Sequence, residues 1–352
     1  RSVSRGLGDV YKRQIYTYVG NAGMRKELRQ MHVAVTDEET ASPEYESAYA
    51  DYKKTYGGMY DTLDMHKILE QKEKKSGYEP QGVWGSWIVR NYDRLQKRVE
   101  QIRKTGEGTY AFYPGNWYKL HTTLYGKLWK KLILQTAVLM ILSMLYLMDY
   151  ERIYKTQDLV LATTTGKKMM EKKMLAGTLC GLFYAGLLTV FTLLVFFAAV
   201  PFQNLWHVPV AACMVAEPRL QMMYPFVTFW WLEQWRYLLL ALVVLVGLLG
   251  IVAAVTAAVQ LFLQNSYFSF AVLGLLFMGA YLLAYVQMGN VWDLIRELFN
   301  PTVLYATSGG WFMENDLCLS FAGNEFAVLF CSGTAAVCLM AVGKRRYHRL
   351  EV

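Results

Sequence analysis

The chain has 352 residues, 54% of them hydrophobic and 18% charged, with a formal net charge of +8 and a mean hydropathy of only +0.18. That mixture excludes one uniform globular core and points to an apolar membrane block joined to a sizeable polar block. The positive balance reads as Lys and Arg at cytoplasmic loops and lipid headgroups rather than as a nucleic-acid footprint, so no nucleic-acid partner is expected.

Residues 1–14, RSVSRGLGDVYKRQ, start at Arg1 and have neither an apolar period nor a signal-peptide layout. They resemble translated adaptor sequence at a broken gene end, and are expected to be non-native; the rival reading is an ordinary polar tail. From 15 to 131 no run is long enough to cross a bilayer, so this stretch is expected to be a helical domain of its own. Ser42-Pro43 is a helix start, with a capping hydroxyl and a proline at the first helical position. Tyr45, Tyr49, Tyr52, Tyr56, Met59 and Leu63 follow as a heptad seam interrupted at Gly57-Gly58, and a second seam runs through Ile88, Tyr92, Leu95, Val99 and Ile102. The break around Gly77 and Gly82 makes the pair an antiparallel hairpin. After Pro114-Gly115, Trp117, Leu120, Leu124 and Leu128 line one side of a basic helix with Lys119, Lys127, Lys130 and Lys131, which predicts an interfacial helix on the membrane surface.

Five apolar stretches follow, at about 132–148, 175–200, 237–262, 268–286 and 326–342, each near the length a helix needs to cross the hydrocarbon. None has a charge in its interior, which argues against a proton-relay transporter. Arg152, Lys155, Lys167, Lys168, Lys172 and Lys173, then Lys344, Arg345, Arg346 and Arg349, place the connection 149–174 and the tail 344–352 in the cytoplasm. The domain 15–131 is then expected to be extracytoplasmic, which calls for a sixth span upstream, lost with the broken start; the alternative is a cytoplasmic domain on an inverted five-span protein with a strongly basic external tail. Trp230, Trp231, Trp235 and Tyr237 read as an aromatic belt at a membrane entrance. Val291, Trp292, Leu294, Ile295, Leu298 and Phe299 make an apolar helix too short to cross, stopped at Asn300-Pro301 and expected to be re-entrant or interfacial.

Cys180, Cys331 and Cys338 fall inside the apolar stretches as small hydrophobes, while Cys213 and Cys318 lie in outer loops where a disulfide is possible. No Cys/His cluster has metal-ligand spacing. Gly166-Lys167 is not a phosphate loop, because Leu161 stands where the first glycine is required and Lys168 where Ser or Thr is. No catalytic constellation, cofactor site or metal site is expected in this chain.

The layout, and the segment after the first apolar stretch, resemble the permease subunit of a type 2 ABC exporter. In that family an acidic residue is followed by Leu-Leu-x-Ser/Thr, a Gly-basic pair and a later Lys. Here Glu151 matches the acid, Leu159, Leu161, Thr163 and Thr165 the Leu/Thr portion, Gly166-Lys167 the pair, and Lys173 the later base. Where the family has a glycine a few residues after the acid, this chain reads Lys155-Thr156-Gln157. The resemblance implies an all-α polytopic protein of the cytoplasmic membrane, working as a dimer of permeases with a separate ABC ATPase that binds ATP and Mg. Glu151, Leu161, Thr163, Thr165, Gly166, Lys167 and Lys173 are then the ATPase-coupling residues, and the cargo is exported between the two permeases. The competing expectation is a membrane sensor or scaffold whose external hairpin binds a ligand and which transports nothing.

Overall fold

The computed structural model describes residues 59–76, 82–107, 121–156, 166–199, 206–211, 227–286, 291–314 and 321–350. Five of its helices are long and apolar enough to cross a membrane: Thr123–Met148, Met169–Ala199, Gln234–Leu263, Ser266–Ala284 and Asn324–Tyr347. They are called the first to fifth spans below. No strand occurs among the described residues, only isolated bridges at Pro209–Glu233 and Thr228–Met313.

The first and third spans form the centre. Met140, Met144, Leu145 and Met148 of the first and Ala241, Val244, Leu245, Leu248 and Val252 of the third belong to one buried cluster. The second, fourth and fifth spans are peripheral and show large apolar side chains outward, among them Leu179, Phe183, Phe191, Leu275, Met278 and Phe330. Side chains of that kind on an outer helical face belong in hydrocarbon.

Close packing of the first two spans depends on small residues. Gly177, Gly181, Ala185 and Thr189 recur every fourth residue, all buried, on the face turned to the first span. A Cβ at Gly177 would lie 3.2 Å from the Met144 Cα, and one at Gly181 would lie 3.2 Å from the Met140 Cα. Without side chains there, the two backbones approach closely enough for dispersion to hold them where no hydrophobic drive exists.

The third and fourth spans are joined by a minimal turn. Gln264 takes the left-handed conformation (φ 52°), and the Asn265 side chain caps the next helix, accepting from Tyr267 N at 3.1 Å and Phe268 N at 3.2 Å. Between the fourth and fifth spans the helix Val291–Phe299 is inside out. Val291, Trp292, Ile295 and Phe299 are exposed while Asp293 and Glu297 are buried. Arg296 lies between those acids (3.5 and 3.4 Å) and donates to the Leu283 and Ala284 carbonyls at 2.7 and 2.9 Å, satisfying the end of the fourth span. Charge inside and apolar groups outside is the pattern of a helix lying against lipid.

The polar helices Met65–Ser76 and Gly82–Thr105 pack on each other. The second expected seam is the buried one: Ile88, Tyr92, Leu95, Val99 and Ile102 lie in one cluster with Tyr60, Leu63, Met65 and Ile68. Leu63 of the first expected seam lies in that cluster, Met65 and Ile68 join it from outside the seam, and Tyr45, Tyr49, Tyr52 and Tyr56 lie outside the described residues. The helix break at Leu63-Asp64 sets this register, since Asp64 Oδ1 accepts from His66 N at 3.0 Å and restarts the helix.

Three sequence expectations are corrected. The basic helix before residue 132 is not a separate surface element over its described part. His121 to Met148 is one helix with a π-helical stretch at Thr122–Leu128, and Leu124, Tyr125 and Trp129 are fully buried. The reason is a close crossing: Gly126 Cα lies 3.1 Å from where a Gly309 Cβ would stand, so the Ser308–Gly310 turn seats directly on this segment. Tyr237 is a core residue, not part of a belt. Trp231 and Trp235 do lie together, both donating to Glu233 (3.4 and 2.5 Å). All five helices also start ahead of the apolar stretches, and the fifth takes in the buried Glu325.

Candidate coupling site

The first span ends at Met148, and Asp149 opens a single turn, Tyr150–Ile153, that holds Glu151. The turn closes through a left-handed residue, Lys155 (φ 55°), with Thr156 N donating to the Glu151 carbonyl at 2.8 Å. Glycine occupies such a position at least cost; this chain makes the turn with lysine.

The helix that becomes the second span starts at Gly166. Two turns in, Lys173 forms an ion pair with Glu151 in which both side chains are largely shielded from solvent. Each flank of the polar connection thus holds the other. Two residues before Lys173, Glu171 pairs with Lys344 at the far end of the fifth span. Asp149 Oδ2 accepts from Ser266 N at 3.3 Å, and Ser266 Oγ donates to the Leu145 carbonyl at 3.2 Å. The Arg346 guanidinium lies over the Phe262 ring at 5.4 Å. All five spans therefore meet in one polar layer at this end of the bundle.

Of the expected residues, Glu151 and Lys173 come together, and Gly166 and Lys167 are the first two residues of the second-span helix. The Lys167 side chain, and Leu161, Thr163 and Thr165 entirely, lie outside the described residues. Asp149, Glu171, Ser266 and Lys344 were not expected to take part. Only the sign of the charges could have flagged Glu171 and Lys344, because nothing in sequence sets two residues so far apart side by side.

The opposite end has a second buried constellation. His121, Tyr125 and Tyr237 stack with ring centroids 4.5 to 5.1 Å apart, and Phe312 lies edge-on to Tyr237 at 6.1 Å. Phe312 has a positive φ of 61°, and its N–H donates to Glu325 Oε1 at 2.5 Å. Burial pushes the His121 imidazole down to about 4, against hydrogen bonding to the Gly309 backbone and the Gln234 side chain, which favour its proton. His121 is therefore neutral at pH 7, and this cluster is a packing core.

The polar hairpin is fixed at that same end. Arg98 makes a bidentate pair with Glu107 (2.8 and 2.5 Å) and donates from Nε to the Thr228 carbonyl at 3.0 Å. Tyr60 OH donates to the Ala211 carbonyl at 2.7 Å, and Trp87 meets Phe321 edge-on at 5.4 Å. Among the described residues no group of three His, Cys, Asp or Glu side chains is placed to hold a metal ion. Comparison of the chain with protein-family models, curated proteins and solved structures gives no match.

Proposed function

We propose that this chain is the permease subunit of an ATP-driven exporter of the cytoplasmic membrane, paired with a second permease copy and with separate ABC ATPase subunits that bind ATP and Mg. The observation that carries the reading is the Glu151–Lys173 pair with its neighbour Glu171–Lys344. A partner pressing on the connection would act on the first, second and fifth spans together rather than on a loose loop, as rigid-body coupling requires. The cytoplasmic side is assigned to this layer by its flanking basic residues, and the outer side to the hairpin. Leu161, Thr163, Thr165, Gly166 and Lys167 are the residues assigned to contact with the ATPase in this reading. An amphipathic cargo suits spans whose outward faces carry many large apolar side chains.

The test is purification of the full-length gene product in mild detergent, with identification of co-purifying chains and an ATPase assay. A stoichiometric ATP-binding-cassette subunit with vanadate-sensitive hydrolysis is expected. Lys167→Glu with Lys168→Glu should abolish stimulation of that hydrolysis at normal membrane abundance. Reproducible purification without such a partner would refute the exporter. It would favour a sensor or scaffold instead, a reading supported by the Arg98–Glu107–Thr228 clamp that holds the hairpin to the bundle.

A further inference from the structure

The helix Gly82–Thr105 has six basic residues, Arg90, Arg94, Lys97, Arg98, Arg103 and Lys104, against two acids, Asp93 and Glu100. Two of the six are committed inside the molecule. Arg98 is clamped to Glu107 and Thr228, and Arg103 donates to the Tyr60, Asp61 and Leu63 carbonyls at 2.6 to 3.0 Å. The other four, Arg90, Arg94, Lys97 and Lys104, are exposed, and among the described residues none has an ion-pair partner. Their spacing of four, three and seven residues aligns them on one face, within about 40° of a common line at 100° per residue and over about 21 Å of helix. That line is opposite the buried seam Ile88, Tyr92, Leu95, Val99 and Ile102. Both acids, Asp93 and Glu100, are exposed and flank the line on one side, about 60° and 80° from it, and Asp93 faces His66 of the partner helix at 3.4 Å.

We propose that this stripe binds a linear, flexible polyanion whose charges are phosphate groups, on the face of the hairpin turned away from the bundle. Four guanidinium and ammonium groups in a row, held on a scaffold that the Arg98 clamp fixes in place, attract a chain with an anionic group every few ångströms. A bilayer surface fits less well. Helices that lie on lipid bury an apolar face beside their cations, and here the apolar face is already spent on the hairpin core. A helical protein partner would need an apolar seam between the cations, and Gln101 is what occupies the line between Lys97 and Lys104. Nucleic acid would use aromatic platforms for its bases, and the line has none. The surface answers to charge alone. It stands whether or not an ATPase joins the opposite end.

The experiment uses the full chain in neutral detergent and long-chain inorganic polyphosphate as the probe, titrated at several salt concentrations. Binding is expected with log Kobs falling against log salt at a slope of about −3, as four contacts to a flexible strand require. Arg90→Gln, Arg94→Gln, Lys97→Gln and Lys104→Gln combined should weaken it at least about tenfold at low salt, since each contact removed lowers the slope by about 0.7. Arg152→Gln with Lys155→Gln, at the other end of the molecule, should leave the affinity unchanged. An unchanged affinity in the fourfold variant, with its fold verified by thermal unfolding, overturns the proposal. So does tighter binding of a single-stranded oligonucleotide of matched charge, which would mark a nucleic-acid site. Stripe-dependent binding to anionic vesicles without binding to polyphosphate would overturn it in favour of lipid.

Discussion

A buried imidazole makes the aromatic end sensitive to acid. His121 is buried between Tyr125 and Tyr237 with its pKa lowered to about 4, whereas an unfolded chain titrates near 6.5. The unfolded state therefore binds the proton first as pH falls. The stability tied to this residue is complete above about pH 6.5 and drains away between there and pH 4, and the difference corresponds to about 3 kcal/mol. Thermal unfolding in detergent should show the melting temperature of the wild type falling further between pH 7 and pH 4.5 than that of a variant without the imidazole. His121→Phe, which keeps the ring stack and removes the proton, should flatten that fall. An equally steep fall in the variant would place the acid sensitivity elsewhere. None of this was legible in sequence, where His121 is one histidine beside a lysine-rich helix. Its environment comes from Gly309 and Gln234, both far along the chain. Glu151 and Lys173 were legible as site candidates because their order along the connection carried the resemblance, but their contact follows only from the turn at Lys155.

At the scale of elements, the apolar stretches located the spans well and their ends less well. Hydropathy marks where a helix is in hydrocarbon, whereas a helix stops where its backbone groups find other partners. Asn265 caps the fourth span and Ser308–Gly310 seats on the π-helical lead of the first, which is why that span starts at Thr123 instead of 132. Glu325 was placed outside the fifth span for the same reason, although the helix starting at Asn324 includes it. The spacing of Gly177, Gly181 and Ala185 is present in the sequence and sets which face of the second span meets the first. That spacing gives a direct test. Gly181→Leu forces a branched side chain onto the Met140 backbone and should cost up to about 3 kcal/mol, seen as a lower melting temperature and lower yield. Gly186→Leu, at a position with nothing within 4 Å, should be tolerated. Equal losses from both substitutions would mean that the two spans do not pack through this face.

On the scale of the whole molecule, the two ends differ in kind. One is a polar layer where Asp149, Glu151, Glu171, Lys173, Ser266 and Lys344 tie the spans together. The other bears the docked hairpin and an aromatic core. The proposed orientation puts the first in the cytoplasm, although Lys127, Lys130 and Lys131 stand at the second. The conflict eases because the positive-inside bias is counted over short connections, and a long polar segment such as that up to residue 131 crosses largely regardless of its charge. Single cysteines in an otherwise cysteine-free chain decide the matter, since both ends offer exposed lysines. Lys97→Cys, on the hairpin, should react with a membrane-impermeant maleimide on intact cells. Lys155→Cys, in the connection, should react only after the membrane is opened. The reverse pattern would put the connection outside, away from ATP. The ion-paired layer would then serve only to hold the bundle, and the exporter reading would fall even though the fold and the polyanion stripe remained.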